Sequence, residues 1–263
     1  MPELPEVETI ARMLAPRLTG RRIRRVEIRS RRVLAGDRDL LKVLRGRLVE
    51  RVSRRAKFLL LHLDRGVLAI HLGMTGHLRW NGQAGPYTRA VIVFDRGRLL
   101  FDDPRQFGRL EASEEGLPPR LEKLGPEAPA ITVEELARRL AGRRAPIKAL
   151  LMDQHILAGL GNIYSDEALF RAGIHPQTPG GRLSRERLAR LVRAIRRVLA
   201  EAIAAGGSSV SDYVNADGEP GWFQFQHRVY QRTGEPCLRC GAPIRRIVIA
   251  QRGTHYCPRC QRR

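Results

Sequence analysis

The sequence predicts an α+β chain of several domains: an antiparallel β-sandwich or barrel near the front, a helical middle and a small metal-bound hairpin at the end. Three observations carry that reading. Residues 22–112 run in short alternating or β-rich segments broken by turn signals, residues 146–206 show helical periodicity, and the only four cysteines stand in two C-x2-C pairs.

The chain opens MPELPEVET. Val7, Ile10, Ala11 and Leu14 recur at helical spacing behind Pro5, which suits a first helical turn, and Glu6 and Glu8 lie where the helix dipole favours acids. These features predict a short amphipathic helix over residues 5–14. The runs RIRRVEIR, KFLLLHL, GVLAIHLGM, RAVIVF and RLLFDD then read as strands of a sandwich or barrel of about six to eight strands. Residues 114–132, EEGLPPRLEKLGPEAPAIT, contain four prolines and no strand pattern, which marks a linker. Pro146 opens a helix through IKALLMDQ, and AGLGN leads into a second, IYSDEALFRAG. A third starts from Ser184 as N-cap, places Leu188, Leu191, Val192, Ile195, Val198, Leu199 and Ile203 on one face, and ends at Gly206.

Forty-eight Lys and Arg against twenty-seven Asp and Glu leave a net charge of +21, which calls for a polyanionic partner such as nucleic acid. The charge is concentrated in two zones. Residues 17–57 hold sixteen Arg or Lys against four acids, and residues 228–263 hold nine Arg against one Glu, as expected of a backbone gripped from two sides. Lysine is confined to Lys42, Lys57, Lys123 and Lys148, so each is a candidate for work that needs a compact ammonium able to lose its proton. Apolar runs reach only four or five residues, and no basic stretch followed by an apolar one opens the chain; we expect a soluble, non-exported protein with no membrane partner.

Cys237, Cys240, Cys257 and Cys260 form a C-x2-C pair, sixteen intervening residues and a second C-x2-C pair. That spacing brings four thiolates to one tetrahedral Zn²⁺. With all four positions filled by protein, the metal is structural. The intervening GAPIRRIVIAQRGTHY reads as a hairpin whose arginines project toward phosphate.

Taken together, MPELPEVET, RRAKFLLL, HLGMTG, DPRQFGRL, IKALLMDQHILAGLGNIYSDEALF, NADGEPG and QRGTHYCPRCQ resemble formamidopyrimidine-DNA glycosylase, a family that removes oxidised purines from DNA. The resemblance spans the whole chain in the family's order. It implies an N-terminal catalytic β-sandwich over residues 1–128, a helix-two-turn-helix DNA-binding domain over 129–222 and a zinc finger over 223–263. The activity it implies is bifunctional: excision of 8-oxoguanine and formamidopyrimidines through a Schiff base, then β,δ-elimination at the abasic site. Damaged double-stranded DNA is the implied partner, the protein a cytoplasmic, nucleoid-associated monomer.

The resemblance gives the opening residues a chemical reason. An α-amine with a reference pKa near 8 is about 10% neutral at pH 7, whereas an ordinary lysine is about 0.04% neutral. Once Met1 is removed, Pro2 presents a secondary amine that can form an iminium with C1′, and the adjoining helix start lowers its pKa. Glu3 is then the general acid and base, with Glu6 as its support. Lys57 contacts phosphate and assists β-elimination, and is the alternative nucleophile; Arg252 completes the phosphate clamp and aids δ-elimination. Met74, Arg105 and Phe107 match the family's plugs and probe for the gap left by an extruded nucleotide. Gln106 departs from the family's D-P-R-R-F-G, which bears on the strictness of opposite-base choice. Asn162 offers a donor beside a helix start, and His71, Lys148, Arg143 and Tyr87 match further DNA contacts. SSVSDYVNADGEPGWF is expected to fold over the flipped base. Two other readings stand beside this one: an endonuclease VIII-like glycosylase for oxidised pyrimidines, and a DNA-binding zinc protein without chemistry. The separation of Phe107 from Met74 favours the purine branch.

Overall fold

The computed structural model describes residues 2–35, 43–210 and 212–263. Contacts group the chain into two units, Met1–Lys123 with Ile203–Gln224, and Leu124–Ala202 with Phe225–Arg263.

The first unit begins with helix α1 (Leu4–Leu18), which runs four residues past the predicted end because Leu18 joins Leu14 on the buried face. Glu3 is its N-cap. Glu3 and Glu6 form a reciprocal capping box that satisfies amides the first turn leaves without helical partners. Eight strands follow: β1 (Ile23–Ile28), β2 (Val49–Arg55), β3 (Phe58–Leu63), β4 (Val67–His71), β5 (His77–Trp80), β6 (Thr88–Phe94), β7 (Arg98–Asp102) and β8 (Arg109–Ser113). They form two antiparallel four-stranded sheets in the orders β1-β6-β7-β5 and β2-β3-β4-β8, a sandwich rather than a barrel. Leu59, Leu61, Leu68 and Ile70 of one sheet and Ile92, Leu99 and Phe101 of the other share a core with Val7, Ile10 and Leu14 of α1. Each such side chain contributes about 1.5–3 kcal/mol on burial, so the helix is fixed to the sandwich along its length.

Residues 203–224 belong with this sandwich, since Tyr213 and Ala216 enter the same core. Arg17 grips Asp217 with two hydrogen bonds of 2.5 and 2.8 Å, and the Trp80 amide donates to the Ala216 carbonyl at 3.5 Å. Asn215 Oδ1 accepts from the Asp217 and Glu219 amides, closing the NADGEPG turn.

The proline-rich stretch 114–132 contains the boundary between units and one short helix, α2 (Pro119–Glu122). In the second unit, α3 (Val133–Leu140) starts where Thr132 Oγ1 accepts the Glu135 amide at 3.1 Å, an element the sequence reading does not include. Helices α4 (Ile147–Met152), α5 (Asn162–Ala172) and α6 (Arg185–Ala204) follow the predicted pattern. Ser184 Oγ accepts the Arg187 amide at the start of α6, and near its end Ala202 is buried while Ile203 is only half-buried. Strands β9 (Arg245–Ile249) and β10 (Arg252–Tyr256) form the C-terminal hairpin. Buried Glu167 ties α5 to the segment before that hairpin: its Oε1 accepts the successive amides of Arg228, Val229 and Tyr230 at 2.9–3.0 Å. Among the described residues no helix is long and apolar enough to cross a membrane.

Candidate functional site

In the first unit the site starts at the N-terminus of α1. Pro2 and Glu3 are buried, Glu3 with only 2% of its surface exposed. The Glu6 carboxylate holds this start from two directions. Its Oε2 accepts the Glu3 amide at 2.7 Å, and its Oε1 accepts the Ser208 amide at 2.8 Å, which links the helix start to residues 203–224. Close approach of that segment needs Gly207, whose φ is +87° and whose added Cβ would meet Glu6 Oε1 at 2.9 Å. Tyr213 Oη caps the other side by donating to the Gly206 carbonyl at 3.2 Å, and burial beside Glu6 pushes its phenol pKa up.

Lys57 occupies the β2–β3 turn and is buried. The residue before it, Ala56, has a φ of +52°, a left-handed conformation in which a non-glycine residue stores about 1 kcal/mol or more. Arg54 holds the turn by donating to the Ala56 carbonyl at 3.0 Å while its Nε donates to Glu8 Oε2 at 2.9 Å. Helix α1 and the turn carrying Lys57 are thereby joined through one guanidinium. Burial would raise the Glu8 pKa, but the hydrogen bonds from Arg12 and Arg54 hold it below the usual value.

His71 lies opposite Phe58 in the β3–β4 register and packs against it in a tilted arrangement with ring centroids 4.7 Å apart. The Gly73 amide donates to His71 Nδ1 at 3.1 Å, so the neutral ring carries its proton on Nε2 and presents a donor there. Burial first, then the charges of Lys57, Arg120 and Arg109, push its pKa down to about 4. Burial does the same to His227 in the second unit. Between pH 6.5 and 4 the unfolded chain binds more protons at these rings than the folded chain, so their contribution lowers stability as pH falls through that window. The melting temperature is expected to drop from pH 7 to pH 5, and to drop less in His71→Asn, whose amide oxygen still accepts from Gly73. An unchanged pH profile in the variant removes His71 from this account.

The loops bearing Met74, Arg105 and Phe107 meet through a buried carboxylate. Asp103 Oδ1 accepts from Thr75 Oγ1 at 2.6 Å and its Oδ2 accepts the Gly108 amide at 2.7 Å. Gly73 permits the approach: at φ +64°, its added Cβ would sit 2.5 Å from the Gly108 nitrogen. Met74 is half-buried, whereas Phe107 keeps 48% of its surface exposed with the Arg105 guanidinium 4.8 Å above its ring. A large apolar ring left this far in solvent is not a core residue. Gln106 between them has φ +57°, and Ser30 Oγ donates to its Oε1 at 2.5 Å, tying the loop tip to residue 30. Tyr87 is exposed, and its carbonyl accepts the Asp103 amide at 2.9 Å.

In the second unit Asn162 opens α5 and donates from Nδ2 to the Gly253 carbonyl at 3.0 Å, fastening the helix start to the hairpin. Arg252, beside that glycine, is exposed at the hairpin tip after Ala250 and Gln251, which have φ values of +48° and +59°. Both turn positions are thus left-handed without a glycine, the backbone of a type I′ turn. Arg143 is exposed and its Nε donates to the Arg139 carbonyl.

Lys148 requires a correction. The sequence reading makes it a DNA contact, but its side chain has 0% exposure, and its Nζ donates to the Asn162 carbonyl at 2.7 Å and to Asp166 Oδ1 at 2.5 Å. Asp166 Oδ2 accepts the His255 amide at 2.9 Å. A cation enclosed this way cannot reach a phosphate; it orients the start of α5 instead.

The four cysteines are brought together: their sulfurs all lie within 4.8 Å of one another, with Cys237–Cys260 at 3.9 Å and Cys240–Cys257 at 3.5 Å. Tetrahedral zinc with bonds near 2.3 Å would separate its sulfurs by about 3.8 Å, so the donor set fits one structural Zn²⁺ held by Cys237, Cys240, Cys257 and Cys260. The Ala242 amide lowers the Cys240 thiol to about 7, whereas burial and the neighbouring thiols push Cys260 up to about 12. Four thiols this close ionise together only around a cation.

Sequence reasoning missed Arg54, Asp103, Asp166, Ser208 and His255, and it named Glu8 only as a helix-start acid without its Arg54 partner. Asp103 opens the quoted DPRQFGRL, and Asp166 lies within the quoted helical run, but nothing local in either motif names its partner.

Three family models match the chain: the formamidopyrimidine-DNA glycosylase N-terminal domain over residues 1–110, the H2TH domain of the same enzyme over 124–214, and a zinc finger found in FPG and IleRS over 234–263. The formamidopyrimidine-DNA glycosylase of Solibacter usitatus is 56% identical over 266 residues, covering 100% of both chains. The crystal structure of the Thermus thermophilus MutM (Fpg) protein superposes with a TM-score of 0.91 at 46% identity, covering 99% of this chain and 98% of that one. A complex of Lactococcus lactis Fpg with DNA containing an abasic site gives a TM-score of 0.92 at 37% identity with both chains covered completely.

Proposed function

The chain belongs to the formamidopyrimidine-DNA glycosylase family, and we propose that Pro2 and Glu3, at the start of α1, carry out its chemistry. The protein is a DNA glycosylase for oxidised purines with abasic-site lyase activity, and it carries one structural zinc. Relatives in this family have been crystallised on DNA containing Fapy-dG and on DNA containing an abasic site. The observation that carries the assignment of residues is the buried helix start, where Glu3 is fixed as N-cap by Glu6.

With Met1 removed, the Pro2 nitrogen attacks C1′ of the extruded nucleotide, the C1′–N9 bond breaks, and the purine leaves with a proton. Glu3 protonates O4′ as the sugar opens to the iminium. Loss of a C2′ proton expels the 3′ phosphate, and a second elimination breaks the C5′–O bond; Lys57 and Arg252 are proposed to hold the two phosphates during these steps. His71 offers Nε2–H to the backbone. Met74 and Phe107 fill the gap, and Arg105 offers its donor fork to the orphaned base. Asn162, Arg143 and Tyr87 complete the DNA contacts, and Lys148 acts through Asn162. The division into residues 1–128, 129–222 and 223–263, monomeric action and a cytoplasmic, nucleoid-associated location belong to the same proposal.

Borohydride trapping in parallel on duplexes with 8-oxoguanine opposite cytosine, with an oxidised pyrimidine and with no lesion tests it. The covalent adduct is expected on the first above all. A stronger adduct on the oxidised pyrimidine would favour the endonuclease VIII-like reading, and none on any duplex would favour binding without chemistry.

A further inference from the structure

A cavity of about 610 Å3 in the second unit uses none of the candidate site residues. One wall is the outer face of α6, where Arg190, Arg193 and Arg197 follow at helical spacing. The end of α5 adds Phe170 and Arg171, and the opposite side comes from Arg228 and the first C-x2-C knuckle. Three of the six arginines are matched by carboxylates: Arg190 by Glu186, Arg171 by Glu167 and Glu201, and Arg197 also by Glu201. Arg193, Arg228 and Arg239 have no carboxylate partner among the described residues and are exposed. A concave wall with unmatched charge of one sign concentrates its field on whatever enters.

The cavity also carries apolar surface. The Arg239 guanidinium sits 4.9 Å above the Phe170 ring, and Leu238 beside it leaves 59% of its surface in solvent. We propose that this cavity binds an acidic, extended peptide segment of a partner protein. The segment's carboxylates would engage Arg193, Arg228 and Arg239, and one apolar side chain would rest on Leu238. Guanidinium forks suit carboxylates in paired hydrogen bonds. A DNA duplex fits less well, because its phosphate backbone offers nothing to Leu238 and its width exceeds a cavity of this volume. Within its own unit the cavity stands apart from Asn162: Phe170 lies eight residues, about 12 Å of helix, beyond it. The inference does not depend on the assignment of Pro2 and Glu3.

Fluorescence anisotropy of a labelled Asp-Glu-Asp-Leu-Asp-Phe peptide with the zinc-loaded full-length protein, at about 50 mM salt where such pairs are weakly screened, tests it. Saturable binding is expected, weakened at least about 10-fold in Arg193→Glu/Arg228→Glu and weakened likewise when the peptide's acids become amides. Melting temperature should match the wild type in that variant, and strand cleavage should match it in Arg193→Glu alone, which lies outside both basic zones of the sequence; Arg193→Gln/Arg228→Gln serves if the charge reversal unfolds. Absence of binding at millimolar peptide overturns the proposal, as does binding that neither variant weakens. If a short duplex displaces the peptide and loses affinity in the same variants, the cavity belongs to DNA and the peptide reading fails.

Discussion

Pro2→Gly is expected to release 8-oxoguanine at least about 100-fold more slowly than the wild type, with a matching loss of the borohydride adduct. Glycine keeps an α-amine of similar basicity, so this substitution removes orientation rather than the nitrogen. The pyrrolidine ring ties the nucleophilic nitrogen to its own side chain and so fixes its orientation ahead of the Glu3 N-cap, and misplacement of a nucleophile by about 1 Å is enough to cost two orders of magnitude. Single-turnover excision, followed by intact-mass and peptide mapping of the reduced adduct, measures both effects. Excision within about threefold of wild type, or an adduct mapped to Lys57, would take Pro2 out of the mechanism.

Lys148→Met should destabilise the folded protein by about 3–5 kcal/mol, the cost typical of leaving a buried charge without its partner. The Asp166 carboxylate has 0% exposure and would keep only the His255 hydrogen bonds. Adding Asp166→Asn should recover part of the loss, since an amide removes the stranded charge and still offers an oxygen to the His255 amide. Urea unfolding of the zinc-loaded single and double variants gives the comparison. A cost below about 1 kcal/mol for Lys148→Met, or no recovery in the double variant, would show that the pair is not what holds the start of α5.

What could be read in the sequence was what is local. The four cysteines, the capped start of α1 and the apolar face of α6 declare themselves within twenty-odd residues, because their spacing is their geometry. Strand β2 was hidden by its arginines, which lie on a half-exposed surface, and β5 is only four residues long. Helix α3 did carry a Thr132–Glu135 cap signal, masked by the prolines just before it. Lys148 was misplaced for a different reason. Its partner Asp166 lies eighteen residues away, and only the packed helices reveal that the two share an interior. The bond between Glu6 and Ser208 spans 202 residues, beyond the reach of any motif.

That long-range bond has a practical corollary. Because Ile203–Gln224 is threaded back into the unit that begins with α1, the polypeptide crosses the unit boundary three times, after Lys123, Ala202 and Gln224. A single protease nick within residues 114–132 should therefore leave two fragments that co-elute under native conditions, held together by a plug of the second fragment lodged in the first. They should part only in denaturant.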